Sequence, residues 1–133
     1  MQLGDSYLVG EKGILFIKEE FYNCFGNDIK PEEEKVQLEH HGWFLLKYVY
    51  LPKGYIISFE AELNSFNIRI LNEDGGFIAL TYLVKYENDL KGVNVRYAIN
   101  KLKEVIEAEL SFYKSMNNKL YKQVNGEYKR VNS

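Results

Sequence analysis

Proline, cysteine and long apolar runs are all scarce in this chain of 133 residues. Its two prolines argue against Pro-rich linkers and disordered segments. Its one cysteine, Cys24, cannot form an internal disulfide, which fits a reducing compartment. No apolar run approaches the roughly 18 residues of a membrane span, and no basic segment leads from Met1 into an apolar one. We therefore expect a cytoplasmic protein with no signal peptide.

Excess positive charge is lacking as well. Seventeen basic residues stand against 19 acidic ones, which gives a net charge of −2, so no global basic field draws the chain to nucleic acid or to an anionic membrane. Hydrophobic residues at 46% and aromatic residues at 15% are typical of a globular protein. We expect residues 1–133 to form a single α+β domain with neither nucleic acid nor membrane as a partner.

The strongest periodic pattern begins after Gly92. It predicts one long amphipathic helix that runs from about Asn94, as its N-cap, to Met116. Such a helix lays one apolar stripe on a sheet. The apolar residues of this stripe recur every three or four positions and are Val95, Ile99, Leu102, Ile106, Leu110 and Tyr113.

An antiparallel β-meander is predicted before that helix, over about 43–83, because short apolar runs alternate there with turn signals. A two-residue turn at 64–65 sets Phe59 opposite Ile70 on one face of the sheet. The next turn sets Ile70 beside Ala79. The predicted fold class is therefore α+β, with an antiparallel meander packed against one long helix in the C-terminal half.

The strand from Trp43 to Leu51 is apolar almost throughout, which is typical of a strand covered on both faces. A bulge at Gly54 leaves open whether the alternate residues from Phe44 or those from Trp43 face the helix. One helix covers only one face, so the N-terminal region, the C-terminal hairpin or another subunit must cover the second. We expect self-association, because an exposed apolar face of this size usually marks an interface.

Two N-terminal segments fit either a helix or a strand. Residues 14–26 contain a strand-like start but also apolar residues at helical spacing, and residues 31–41 begin like a helix and then alternate like a strand. The end of the chain is clearer. Asn125 and Gly126 lie between two strand-like runs, which predicts a terminal β-hairpin.

Recognisable catalytic and phosphate-binding motifs do not occur in the sequence. The pair His40 and His41 follows Glu39, but adjacent residues point apart, so we interpret the segment as polar surface rather than a metal or acid-base site. Cys24 is interpreted as a small buried thiol. We expect a protein without metal or cofactor that is more readily a binding protein than an enzyme.

The charge of the tail is the best sequence indication of a binding surface. In the predicted hairpin Lys122 opposes Lys129, and residues 119–133 carry +3 while the rest carries −5. This asymmetry suits an anionic ligand or an acidic partner, although lysines also guard exposed sheet edges. Arg69 is expected beside Glu60 on the outer side of the meander, where it could pair or bind a polar ligand. The candidate binding residues are Tyr121, Lys122, Tyr128, Lys129, Arg130, Arg69 and Arg96.

Two classes of function fit these observations. The first is a non-catalytic binding protein that acts stoichiometrically on a protein, as toxin-immunity proteins and phage anti-defence proteins do. Fourteen lysines against three arginines indicate AT-rich coding DNA, which fits a low-GC bacterium or its phages. The second is a homo-oligomeric protein that sequesters a small anionic, nucleotide-like ligand.

Overall fold

The computed structural model describes residues 6–131, so residues 1–5 and 132–133 of the predicted domain lie outside it. Its fold class is α+β, with two helices and an eight-stranded antiparallel sheet whose strands lie side by side in chain order. No helix in the described part of the chain is both long and apolar enough to cross a membrane. The elements are α1 (Gly10–Phe25), β1 (Ile29–Gln37), β2 (Trp43–Tyr50), β3 (Tyr55–Glu62), β4 (Ser65–Leu71), β5 (Phe77–Ala79), α2 (Gly92–Ile106), β6 (Tyr113–Met116), β7 (Lys119–Val124) and β8 (Glu127–Arg130).

Of the two N-terminal segments that fitted either a helix or a strand, the first is helical and the second is mainly a strand. Residues 14–26 lie mainly in α1, where Ile14, Ile17 and Phe21 are buried along one stripe. Most of 31–41 lies in β1 and the turn after it. The sheet edge tolerates Pro31, which has no N–H to give to a neighbour, and the register shifts there between Pro31 and Glu33.

Helix α2 is shorter than predicted and is not the longer of the two. It has 15 residues and ends at Ile106, whereas α1 has 16. The Lys53 ammonium donates to the carbonyl oxygens of Glu107 and Ala108 at 2.8 and 2.7 Å, which satisfies acceptors that a continuing helix would use. The chain then extends into β6, so the helical spacing from Ile106 to Tyr113 is coincidental.

The register left open at Gly54 is settled by the β2–β3 pairing. Gly54 has a φ of 70°, and Tyr50 pairs with Tyr55 across the turn. Phe44 and Tyr48 are therefore among the residues that face the core, while Trp43 lies on the opposite face. This result follows the first of the two alternatives.

The β3–β4 turn lies one residue earlier than predicted. Leu63 and Asn64 have φ values of 53° and 60°, as a type I′ hairpin turn requires, so Phe59 pairs with Ile68 rather than with Ile70. The predicted register is wrong by two residues. The faces are nevertheless right, because side chains alternate with a period of two and Phe59 and Ile70 are buried on the same side.

The β4–β5 register is wrong by one residue, since Ile70 pairs with Ile78 and not with Ala79. Ile78 is buried beside Ile70, whereas Ala79 is only partly buried. Strand β5 ends there, and a 3₁₀ turn over Leu80–Tyr82 replaces the rest of the predicted strand. Strand β5 therefore turns its larger side chain, Ile78 rather than Ala79, toward the core.

Both helices pack on one face of the sheet, which we call the inner face. The buried residues of α1 and α2 form one cluster with the inward residues of β2, β3 and β4. Within it Phe21 of α1 lies 4.7 Å from the Tyr48 ring and 6.0 Å from the Phe59 ring. The N-terminal region therefore does not cover the second, outer face, and no helix described for residues 6–131 packs there.

Alkaline pH should destabilise the fold through Tyr48. Burial, helped by the negative charge of Glu34, raises the pKa of Tyr48 to about 12. The unfolded chain loses this proton near pH 10, so the free energy of unfolding falls as the pH rises from about 10 to 12. The variant Tyr48→Phe should lessen the fall by about 2 kcal/mol at roughly pH 11.5, measured by urea unfolding.

Tyr22→Phe is the matched control for this experiment, because Tyr22 lies on α1 with 66% of its surface exposed. This control should lose stability with pH as the wild type does. Identical pH dependence in all three proteins would contradict a role for Tyr48.

Candidate binding surface

The terminal hairpin forms as predicted, in the predicted register. Lys122 pairs with Lys129 and Tyr121 with Arg130 across the Asn125 turn. The hairpin does not stand alone, because β6 pairs with β7. We call the three strands β6–β8, residues 113–130, the arm. It carries five cations and one carboxylate, a net +4, while the rest of the chain carries −6.

The arm is joined to the main sheet by few contacts. Phe77 and Tyr113 are the only residue pair between β5 and β6 in the described chain. A second attachment lies at the turn after β4, where the Asn72 amide donates to the Tyr128 hydroxyl at 2.9 Å. Gly76 makes room for this contact, because a Cβ there would lie 2.2 Å from the same hydroxyl oxygen. The arm is therefore attached to the main sheet mainly through Tyr113 and Tyr128.

The predicted arm residues divide between two faces. Lys122 lies over the ring of Tyr113 at 5.8 Å, and with its partner Lys129 it belongs to the outer face that Tyr113 shares with Phe77. Tyr121, Tyr128 and Arg130 alternate with these lysines and belong to the inner face. The five residues therefore do not form one site.

Two further lysines lie on the same inner face as Tyr121, Tyr128 and Arg130. Lys114 lies 5.3 Å from the centre of the Tyr128 ring, which is cation–π distance, and Lys119 follows on the same face. The resulting surface has three cations, two tyrosines and no carboxylate. We call it the arm patch; it consists of Lys114, Lys119, Tyr121, Tyr128 and Arg130.

Sequence reasoning missed Lys114 because it lay within the predicted helix, on the face expected to be wet. A sequence signal did exist, since Phe112 and Tyr113 are residues that favour strands. Extending the basic segment backwards from Lys119 to this aromatic pair would have included Lys114.

Arg69 and Arg96 do not join the arm patch. Arg69 lies on the outer face, 5.7 Å from the Phe77 ring, and pairs across the sheet with Ser58. The predicted Glu60–Arg69 pairing is wrong, because the register is shifted by two residues; the Glu60 carboxylate instead accepts a hydrogen bond of 2.7 Å from Trp43.

Arg96 lies on α2, and the Glu20 carboxylate of α1 accepts hydrogen bonds of 3.0 and 2.9 Å from it. These hydrogen bonds, with the attraction of the same carboxylate, raise the pKa of Arg96. The guanidinium also lies 5.6 Å from the Phe16 ring. Arg96 therefore links α2 to α1 through an ion pair with Glu20, so its charge is already paired.

A broad cleft of about 880 Å³ lies between the arm and the body of the protein. Lys53 and Lys122 line it together with Glu73, Asp74 and Glu109. Lys53 is already bound to the end of α2. An anion in this cleft would meet more negative charge than positive, so the cleft lacks the electrostatics expected for a nucleotide-like ligand.

The other candidate groups lie apart from the arm. The Cys24 thiol donates to the Asn100 side-chain oxygen at 3.4 Å, and it is partly rather than fully buried. Its pKa is raised, mainly by burial, which disfavours the reactive thiolate. His40 and Glu39 lie on an exposed turn, 3.9 Å apart. No cluster of three or more potential metal-binding side chains occurs within residues 6–131.

Comparisons with known protein families, curated proteins and solved structures found no match to this chain. The functional inference therefore rests on the chain's own geometry and charge. The arm patch combines two aromatic side chains with three cations for which no ion pair is found among residues 6–131.

Removing the Tyr128 hydroxyl should loosen the arm without unfolding the sheet. Tyr128→Phe deletes the hydrogen bond with Asn72, which is worth about 0.5–1.5 kcal/mol. Amide hydrogen exchange in β7 and β8 should accelerate by roughly 2- to 10-fold, while exchange in β3 and β4 stays unchanged.

Tyr121→Phe is the control, since no hydrogen bond from the Tyr121 hydroxyl to another described residue is found. It should exchange as the wild type does. Equal acceleration in both variants would show that Tyr128 does not anchor the arm.

Proposed function

We propose that this protein is a non-catalytic binding protein that acts stoichiometrically in the cytoplasm on a protein partner, in the manner of toxin-immunity and phage anti-defence proteins. The observation that carries this proposal is the arm patch. It presents three cations and two tyrosines, and none of the cations forms an ion pair with another described residue. We therefore expect the partner to present an acidic surface.

The chemistry of the patch supports protein recognition. Tyrosine and arginine dominate the energetically important residues of protein interfaces, and Tyr121, Tyr128 and Arg130 supply both types. Complementary charge adds rate and specificity. Met116 lies on the same face with 36% of its surface exposed, and provides an apolar contact beside the cations.

The partner can be located by a photo-crosslinking amino acid placed at position 121 of the full chain and expressed in cells of the source. We expect one protein adduct of 1:1 stoichiometry, identified by native mass spectrometry. The matched control position is Leu15 of α1, which is 57% exposed. The same adducts from both positions would mean that the arm patch is not the contact surface.

Reversing the charge of the patch should abolish binding of that partner. Lys114→Glu combined with Arg130→Glu places two negative charges against an acidic surface, so affinity should fall by at least about tenfold, and wild-type affinity should weaken as salt rises. Calorimetry with the purified partner measures both effects.

Lys12→Glu is the control for charge alone, because Lys12 is an exposed residue of α1. It should bind as the wild type does. Unchanged affinity in the double variant, or a small molecule rather than a protein bound to the purified chain, would overturn the proposal.

A further inference from the structure

A small cavity lies on the inner face of the sheet, at the end of the strand order opposite the arm. It lies between α1 and the first two strands, and its volume is about 320 Å³. Pockets that bind small molecules begin at roughly 300 Å³, so the cavity has room for a molecule of one or two rings. Its walls are mainly apolar and include Tyr22 of α1, Ile29 and Pro31 of β1, and Leu46 and Tyr48 of β2.

Tyr48 supplies this cavity with a hydroxyl group. Only 6% of the surface of Tyr48 is exposed, and its ring is held 4.7 Å from the Phe21 ring. No hydrogen bond from its hydroxyl to another residue of 6–131 is found. In the same range the fully buried side-chain oxygen without a partner is that of Tyr86, so the Tyr48 hydroxyl is the accessible tip of a buried side chain. Because buried tyrosine hydroxyls usually have a hydrogen-bond partner, this one is available to a bound molecule.

The charged side chains of the lining either pair with each other or point away. Lys18 of α1 forms an ion pair with Glu34 of β1, and both residues line the cavity. Lys47 belongs to the lining too, but it lies between the inward residues Leu46 and Tyr48, so its side chain points to the outer face. The lining therefore presents no unpaired charge to an ionic ligand.

The negative charge of Glu34 acts on the Tyr48 hydroxyl even though Glu34 is paired with Lys18. Burial raises the pKa of Tyr48, and the charge of Glu34 raises it further. The same charge would repel an anion bound at the hydroxyl. A hydroxyl with a raised pKa keeps its proton at neutral pH and donates it to an acceptor such as a carbonyl oxygen. The site therefore favours an uncharged ligand with an acceptor group.

We propose that this cavity binds an uncharged aromatic molecule that carries a carbonyl group. The Tyr48 hydroxyl donates a hydrogen bond to the carbonyl oxygen. The ring of the ligand packs against Ile29 and Leu46 and against the tyrosine rings of the lining, where aromatic contacts add to the burial of apolar surface. The side-chain amide of Asn27, which also lines the cavity, can bind a second polar group of the ligand.

Benzamide is the probe for this site, because it has one ring, a carbonyl group and no charge. Titrated into the isotope-labelled full chain and followed by NMR, it should shift the amide resonances of Asn27, Ile29 and Leu46. The shifts should saturate with a Kd below about 1 mM. Benzoate has nearly the same shape but carries a negative charge, so it should bind at least about tenfold more weakly.

Tyr48→Phe tests the hydrogen bond, since it removes the hydroxyl and keeps the ring. Benzamide affinity should fall by about 3- to 10-fold. Tyr82→Phe is the matched control, because Tyr82 lies outside the cavity with 72% of its surface exposed, and it should bind benzamide as the wild type does. Ile29→Trp fills the cavity with an indole ring, so it should abolish the shifts at Asn27 and Leu46. Circular dichroism checks that each variant is folded.

Benzamide shifts that do not saturate, or that map away from the cavity, would overturn the proposal. Equal benzamide affinity in Tyr48→Phe and the wild type would overturn it as well, and so would benzoate binding as tightly as benzamide. The test adds its probe to the purified chain and uses no partner protein and no residue of the arm patch. Its failure would therefore leave the proposed function standing, and the reverse is also true.

Discussion

The position of Phe21 is the constraint on which the rest of the molecule depends. Its ring packs against Tyr48 and Phe59, so α1 lies on the sheet face that α2 also covers. Two helices on one side bury a core rich in aromatic residues. No helix described for residues 6–131 packs on the apolar positions of the other side. The lack of a described helix on that side is thus a direct consequence of where α1 packs, rather than of a shortage of apolar residues.

Sequence pattern predicted the faces of the strands better than their registers. Phe59 and Ile70 are buried together because a shift of two residues keeps the facing, whereas a shift of one residue at Ile78 changed it. The β3–β4 turn could not be placed by residue type alone. Leu63 adopts a positive φ, which its side chain disfavours, so burial of the flanking strands must stabilise it.

Local sequence pattern also predicted only part of the candidate binding surface. The Asn125–Gly126 turn specified the hairpin register correctly, since this pair favours a two-residue turn. Lys114 was not predicted to lie on the arm, because apolar residues continue at helical spacing beyond Ile106 and placed it in the predicted helix. The Arg96 guanidinium is paired with Glu20, which lies 76 positions away in the chain. No local sequence pattern predicts an ion pair between residues so far apart.

Three strands can carry two separate surfaces because their side chains alternate. On the arm, the residues Lys114, Tyr121 and Arg130 face one way, and Lys122 and Lys129 face the other. The excess of positive charge on the arm is therefore divided between its two faces. The opposed lysines lie on the outer face, and the two tyrosines lie on the inner face. A partner that contacts the arm patch would therefore leave the opposed lysines on the other face uncovered.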